Sequence, residues 1–337
     1  MSLINKTFFI FCFIIIIIFI YYRSPLQIKI EIEVSRDING RGPAKFIEGI
    51  NDILPYQTNN CIFIASQTIY PVNAKNKSDY FFLPLPHLEE KIYKEWAKIK
   101  RARKLILGPI FVPNFWNLFP DNNIWNERKF REIINTVKGI GVHSNRVRNY
   151  LAQRSNTTNM ISKYIIIRAC TNLKPENVKS FKNRTIDILF FEKYQDLNRT
   201  NQGVKLIKLF KNSSKKIVQI KYGNYTYEEM QILANNSKFI IYFSFFDTGA
   251  IGLKEIQNYG VFTFSHQKDL VINNETGFYI PELADEYNVN NAYIKIIKKM
   301  KIIAQLLPDS YLIAKKNQES NKCQNTLEDL CNSLMKI

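Results

Sequence analysis

Between Ile28 and Ser35 the chain alternates apolar and polar positions, IKIEIEVS, the two-residue period of a half-buried strand. The turn-rich stretch Arg36–Pro43 follows. From Ala44 to Leu54 the period changes, with Phe46, Ile47, Ile50 and Leu54 on one side of a helix. CIFIA (Cys61–Ala65) is a short apolar run suited to a buried parallel strand. A basic helix is predicted over Glu89–Ala102, a strand over Arg103–Gly108, a Pro-rich loop over Gly108–Pro120, a strand over Gly139–Ser144 and a helix over Asn145–Gln153. After the polar break Ser155–Asn159, the segments Lys163–Ala169 and Cys170–Thr185 read as the crossing between two halves. The rhythm then restarts: strand Ile186–Glu192, helix Val204–Phe210, strand Lys216–Tyr222, helix from Thr226 to about Ala234, strand Phe239–Ser244, helix Ile251–Asn258, strand Val261–Ser265. Thr226-Tyr-Glu-Glu fits a capping box closed by Glu229. Strands alternating with helices predict a doubly wound, mostly parallel sheet in each half.

Ahead of this pattern, Thr7–Tyr22 is uncharged and apolar over 16 residues, against the roughly 17–25 of a spanning helix. Leu3, Ile4, Pro25 and Leu26 extend it, and Tyr21 and Tyr22 suit the membrane interface. A cleaved signal peptide wants small residues at its end, and here bulky residues run into Arg23. The run therefore reads as an uncleaved signal-anchor. Lys6 on one side and Arg23 and Lys29 on the other leave its orientation nearly balanced. A lumenal catalytic part, single-pass and type II in the secretory pathway or an equivalent membrane, is the expectation. It would make sequons such as Asn76-Lys-Ser, Asn183-Arg-Thr and Asn224-Tyr-Thr usable. The organisation expected is an anchor at 1–25, an acceptor-side domain at 26–160, a donor-side domain at 161–308 and a C-terminal helical segment at 309–337.

The length of 337 residues suits two domains and 46% apolar residues suits globular cores. The formal charge of +18 favours phosphate-bearing partners. Its lysines are scattered rather than gathered on one element, which reads as a cationic solvated surface and argues against a nucleic-acid partner. Cys12 lies in the apolar run. Cys61, Cys170, Cys323 and Cys331 are far apart with no C-x-x-C pair, which speaks against a zinc site and a dense disulfide framework. They read as buried thiols with room for one bridge.

The chemistry concentrates in SFFDTGAIGLKEIQNYGVFTFS (Ser244–Ser265), between two predicted strands. Asp247 and Glu255 stand eight positions apart, with Gly249 and Gly252 between them. The helix start offers the backbone N–H groups of Gly249, Ala250 and Ile251 to an anion such as a diphosphate. Asp247 is placed to face a bound sugar, or else to cap the helix. Glu255 is placed to reach ribose hydroxyls.

This stretch resembles the nucleotide-sugar site of the GT-B glycosyltransferases of family 4, whose signature is Glu, seven residues, Glu. Asn258-Tyr-Gly-Val-Phe-Thr-Phe-Ser265 and Asn273-Asn-Glu-Thr-Gly-Phe-Tyr-Ile280 resemble the segments that follow it in that family. The match is good over Asp187–Pro281 and loose over the N-terminal half. The resemblance implies a GT-B fold, two Rossmann-like domains facing across a cleft, behind the N-terminal membrane helix. It implies a retaining transfer from a nucleotide-sugar donor to a carbohydrate, lipid or glycoprotein acceptor. Asp247 would contact the sugar, one methylene shorter than the family's Glu, and Glu255 would hold the ribose. Lys193 and Arg199, in reverse order to the family's pair, would face the β-phosphate, with Lys205 as a substitute for Arg199. Asn39-Gly-Arg-Gly-Pro-Ala-Lys-Phe46 resembles the family's "GGPARF" loop, with Gly40 and Gly42 lining the cleft near the phosphates. His87, His143 and His266 read as structural histidines. No Asp-x-Asp occurs in the chain; the other large glycosyltransferase fold binds its metal with that motif, so neither metal nor cofactor is expected. The rival reading is a non-catalytic GT-B-fold membrane protein that binds glycans or partners.

Overall fold

The computed structural model describes residues 27–34, 42–66, 78–84, 105–109, 127–192, 197–221, 224–243, 249–272 and 274–336. The apolar run Thr7–Tyr22, the helix read over Glu89–Ala102, His87, Gly40, Lys193 and Asp247 lie outside them. Among the described residues no helix is long and apolar enough to cross a membrane.

Two sheets carry the chain. The first comprises β1 (Ile28–Glu33), β2 (Tyr56–Gln57), β3 (Cys61–Ser66), β4 (Tyr80–Leu83), β5 (Leu105–Leu107), β6 (Gly139–Val142) and β7 (Tyr164–Ile166), in the order β2-β3-β1-β4-β5-β6-β7. Only the β2–β3 pairing is antiparallel. The second comprises β8 (Ile186–Glu192), β9 (Ile217–Lys221), β10 (Ser237–Phe243), β11 (Phe262–Ser265) and β12 (Gly277–Tyr279), all parallel, in the order β12-β11-β10-β8-β9.

Alternation along the strands divides each sheet between two cores. In the first, Ile30, Ile32, Phe63, Phe82, Ile106 and Ile165 face α1 (Gly42–Asn51), while Phe81, Leu83, Leu105, Leu107, Ile140 and Val142 face α2 (Glu127–Thr136) and α3 (Asn145–Arg154). In the second, Ile188, Phe190, Phe239, Ile241, Phe262 and Phe264 face α4 (Leu197–Lys211) and α7 (Val289–Leu306). Leu189, Phe191, Ile240 and Tyr242 face α5 (Tyr227–Asn236) and α6 (Ile251–Gln257). Each half is therefore a doubly wound three-layer lobe, as the sequence pattern predicts.

Several elements differ from the sequence reading. Tyr164–Ile166, read as part of the crossing, is the seventh strand of the first sheet. β4 and α2 went unread, and α4 begins well before Val204. The capping box of α5 forms as expected: Thr226 accepts from the Glu229 N–H at 3.1 Å while the Glu229 carboxylate accepts from the Thr226 N–H at 2.7 Å.

The largest correction concerns the cysteines. Two disulfides form, Cys61–Cys331 and Cys170–Cys323, where the sequence reading favours buried thiols. Helices α8 (Ser310–Ser320) and α9 (Cys323–Leu334) end the chain, and α9 returns to the first lobe. There Leu327, Leu330 and Leu334 pack into the core of β1 and β3, at 0%, 0% and 4% exposure. Arg168 grips Asp329 through two hydrogen bonds of 2.5 and 3.0 Å, and the Tyr56 hydroxyl donates to Glu328 at 2.8 Å. The return brings together cysteines 270 and 153 positions apart, pairings no local spacing reveals.

Because α9 supplies first-lobe core, Leu330→Ala should cost about 2–5 kcal/mol. Hydrogen exchange should accelerate in β1 and β3 of the first lobe and leave β8 and β10 of the second unchanged.

Candidate active site between the lobes

In each sheet the chain leaves a central strand and winds first to one side, then to the other. The crevice beyond the C-terminal ends of the strands at such a reversal is where open α/β sheets take ligands. In the second sheet β9 and β10 flank β8; in the first, β3 and β4 flank β1. In sequence, Lys193 directly follows β8, Asp247 follows β10, and Gly40 lies between β1 and α1.

Helix α6 occupies the seam between the lobes. Its N-cap, Ala250, is left-handed at φ 48°, a conformation costing a non-glycine residue roughly 1–2 kcal/mol. Ala250 is nevertheless held at 1% exposure. Ile251 inserts into the first-lobe core beside Ala169 and Cys170, while Leu253 and Ile256 pack in the second. Before the cap, Gly249 lies against His143, at the C-terminal end of β6. A Cβ on Gly249 would stand 2.6 Å from His143 Nε2 and 3.2 Å from the Ala169 Cβ, so only glycine permits this approach. The His143 ring is fixed: Nδ1 donates to the Ile167 carbonyl at 2.9 Å, and Phe46 meets it edge-on with centroids 5.7 Å apart. Those bonds set the tautomer and turn Nε2 toward the second lobe.

Glu255 lies four positions into α6 and is 3% exposed. Burial pushes its carboxyl up to about 7, against the opposing pull of the Tyr227 hydrogen bond and the Lys45 charge; Glu48 adds to the rise. The Tyr227 hydroxyl, on the first residue of α5, donates to Glu255 Oε1 at 3.1 Å. Burial, then the Glu255 charge, raises the Tyr227 phenol well above its ordinary value. From the first lobe, Lys45 of α1 sits 5.0 Å from the Tyr227 ring centroid and pairs with Glu48 at 2.8 Å.

An adjoining side of α6 meets the chain's return to the first lobe. Lys254 Nζ donates to Asn321 Oδ1 at 2.7 Å, Asn321 Nδ2 donates to Asn258 Oδ1 at 3.1 Å, and Asn258 Nδ2 donates to the Leu173 carbonyl at 2.8 Å. Burial, with Arg168 nearby, lowers the Lys254 amine to about 8. Cys170–Cys323 staples both crossings beside this network. On a further side, Arg146 of α3 donates to Gln267 Oε1 at 2.8 Å and lies 3.7 Å from Asp269.

Of the residues singled out by sequence, Gly249, Ala250, Ile251, Gly252 and Glu255 therefore share one short element against the opposite lobe. Gly42 is the first residue of α1, whose next turn carries Lys45, and Arg199 falls in the first turn of α4. Lys205 instead lines a surface groove of about 450 Å³ with Lys208, Asn212, Tyr287 and Asn290. His143, Tyr227 and Lys45 are the contacts sequence reasoning missed. They come from elements distant in sequence; His143 carried a signal in its position at a strand end, and Lys45 in the Asn39–Phe46 segment that resembles the family's cleft loop.

No family model matches the chain, and no curated protein does. Solved structures share its fold. The catalytic domain of starch synthase IV from Arabidopsis thaliana, bound to ADP and acarbose, superposes with a TM-score of 0.56 at 8% identity, over 92% of this chain and 100% of that one. An alpha-glucosyltransferase in complex with UDP and a 13-mer DNA gives 0.53 at 12%, over 91% and 100%. Sucrose-phosphate synthase from Thermosynechococcus elongatus gives 0.52 at 11%, over 92% and 98%. The fold is the two-lobed, Rossmann-like architecture of the GT-B glycosyltransferases.

Two outcomes follow from this geometry. Gly249→Ala should force His143 and α6 apart, opening the seam; small-angle scattering should register a larger radius of gyration. The folded state holds the Glu255 proton more tightly than the ordinary carboxyl value of 4.5, so its contribution to stability is present below that pH and is lost as pH rises to about 7. Glu255→Gln should remove this slope, and the wild-type minus variant difference in unfolding free energy should fall by about 3 kcal/mol between pH 4 and 8.

Proposed function

We propose that the protein is a retaining, metal-independent glycosyltransferase of the family 4 type. It takes a sugar from a nucleotide-sugar donor held by the second lobe and passes it to a carbohydrate, lipid or glycoprotein acceptor entering from the first. The observation that carries this reading is Glu255: a buried carboxylate on α6, at the seam between two doubly wound lobes, in the signature position for holding ribose hydroxyls. The shared fold supports it, and two of the structures with that fold hold ADP and UDP.

In the mechanism we infer, Asp247 orients the donor sugar. Lys193, Arg199 and the amides of Gly249, Ala250 and Ile251 stabilise the departing diphosphate as its charge develops. The loop carrying Gly40 and Gly42 lines the facing wall. Approach of the lobes excludes water, which suppresses donor hydrolysis. The bridges Cys61–Cys331 and Cys170–Cys323 support an oxidising compartment for both lobes. With Thr7–Tyr22 as a signal-anchor, that gives a single-pass, type II protein whose lobes lie on the lumenal or exterior side.

A panel of UDP, GDP, ADP and dTDP, followed by the matching nucleotide-sugars, tests the reading. Glu255→Ala should weaken the best nucleotide by about 10–100-fold, the loss of charge-assisted hydrogen bonds to ribose. Unchanged nucleotide affinity in that variant removes Glu255 from the site. Nucleotide binding with no sugar released from any donor favours the non-catalytic binder.

A further inference from the structure

Glu255 is buried, and a buried carboxylate left to itself takes up a proton and turns freely about its last torsion. Neither helps a group that must accept hydrogen bonds from a ribose. Among the described side chains, the Tyr227 hydroxyl is the donor recorded on this carboxylate, at 3.1 Å on Oε1. Beyond a bond to Gln231 one turn along α5, the Tyr227 hydroxyl takes no part in capping its own helix. The N-terminus of α5 is already closed by Thr226 and its reciprocal partner Glu229. Instead its hydroxyl reaches from the start of α5 to the middle of α6. Its ring carries Lys45 of the opposite lobe at 5.0 Å, a contact of cation–π type.

We propose that Tyr227 is a positioning residue for Glu255, and that Lys45, reaching across from the first lobe, ties this positioning to the closeness of the lobes. The inference rests on the reading of Glu255 as the ribose-holding carboxylate. By occupying Oε1, Tyr227 fixes the plane of the carboxylate and leaves Oε2 to a ligand diol. Both the hydrogen bond and the Lys45 charge favour the ionised form that accepts from hydroxyls. The groups facing Glu255 are Tyr227 of α5, Lys45 and Glu48 of α1, and Tyr259 beyond α6. Two of the four belong to the first lobe, so separation of the lobes removes both together.

Calorimetric titration of the full chain with UDP, GDP, ADP and dTDP, from pH 5.5 to 9, tests this. Glu255→Gln supplies the baseline that carries the nucleotide's own titration. Wild-type affinity should weaken as pH falls through about 7. Tyr227→Phe keeps the ring and removes only the hydroxyl. It should bind about tenfold more weakly at pH 6.5, with the midpoint displaced upward by about one unit and affinity partly regained at pH 9. Lys45→Met should shift the midpoint the same way by less, and Lys45→Arg should restore it. A merely structural Tyr227 would lower the melting temperature and affinity without moving the midpoint, and that result overturns the proposal. An unchanged dissociation constant and midpoint in Tyr227→Phe, with binding lost in Glu255→Ala, also overturns it while leaving the reading of Glu255 intact. Wild-type affinity in Glu255→Ala, or no binding of any nucleotide to the wild type, overturns that reading and the proposal with it.

Discussion

The arrangement of the two lobes depends on how one short helix is held. Helix α6 has seven residues, too few to be stable alone, and its faces are claimed by different parts of the molecule. Ile251 belongs to the first-lobe core, Leu253 and Ile256 to the second, Glu255 to the contact with α5 and α1, and Lys254 to the polar network at the crossings. Its left-handed N-cap at Ala250 survives because these contacts over-determine it. Gly249 completes the constraint by letting the backbone lie against a histidine whose ring is already locked.

The chain carries a surplus of positive charge, yet the two ionisable side chains of α6 are bonded to neutral partners. Among the described residues several lysines sit in pairs with carboxylates, such as Lys316 with Glu275 and Lys238 with Asp187. Half-buried Lys254 is bonded to an amide oxygen, and buried Glu255 to a phenol. Desolvation raises the proton affinity of the acid and lowers that of the amine. Neighbouring residues of one helix are thereby drawn toward neutrality from opposite directions.

The lobes themselves were legible in the sequence because parallel strands buried on both faces are continuous apolar runs. Ile186–Glu192 is bounded correctly at both ends, and Thr226 announces α5 through local chemistry alone. What local pattern could not supply was partnership. YFFL of β4 is four residues long and stands next to a proline-rich stretch. α2 buries Ile133 and Ile134 amid a charged sequence that reads as surface. Helix α9 could be read as helix, but nothing in its residues says it joins β1 and β3 rather than the lobe just before it. The same limit applies at the seam. Glu255 was found through a motif within one segment, whereas Lys45, His143 and Tyr227 reach it only through tertiary folding.

The return of α9 carries a consequence for biogenesis. A ribosome delivers the first sheet long before the helix that fills one side of it, since Leu327, Leu330 and Cys331 follow every strand of the second lobe in the chain. The second lobe has all its strands and α7 in hand at that stage, so assembly during translation starts from the middle of the chain. The earliest-made half meanwhile waits with an open apolar flank and two unpaired thiols, Cys61 and Cys170. It is covered only when α9 arrives and oxidation seals it, which leaves the nascent first lobe with apolar surface that a chaperone can bind.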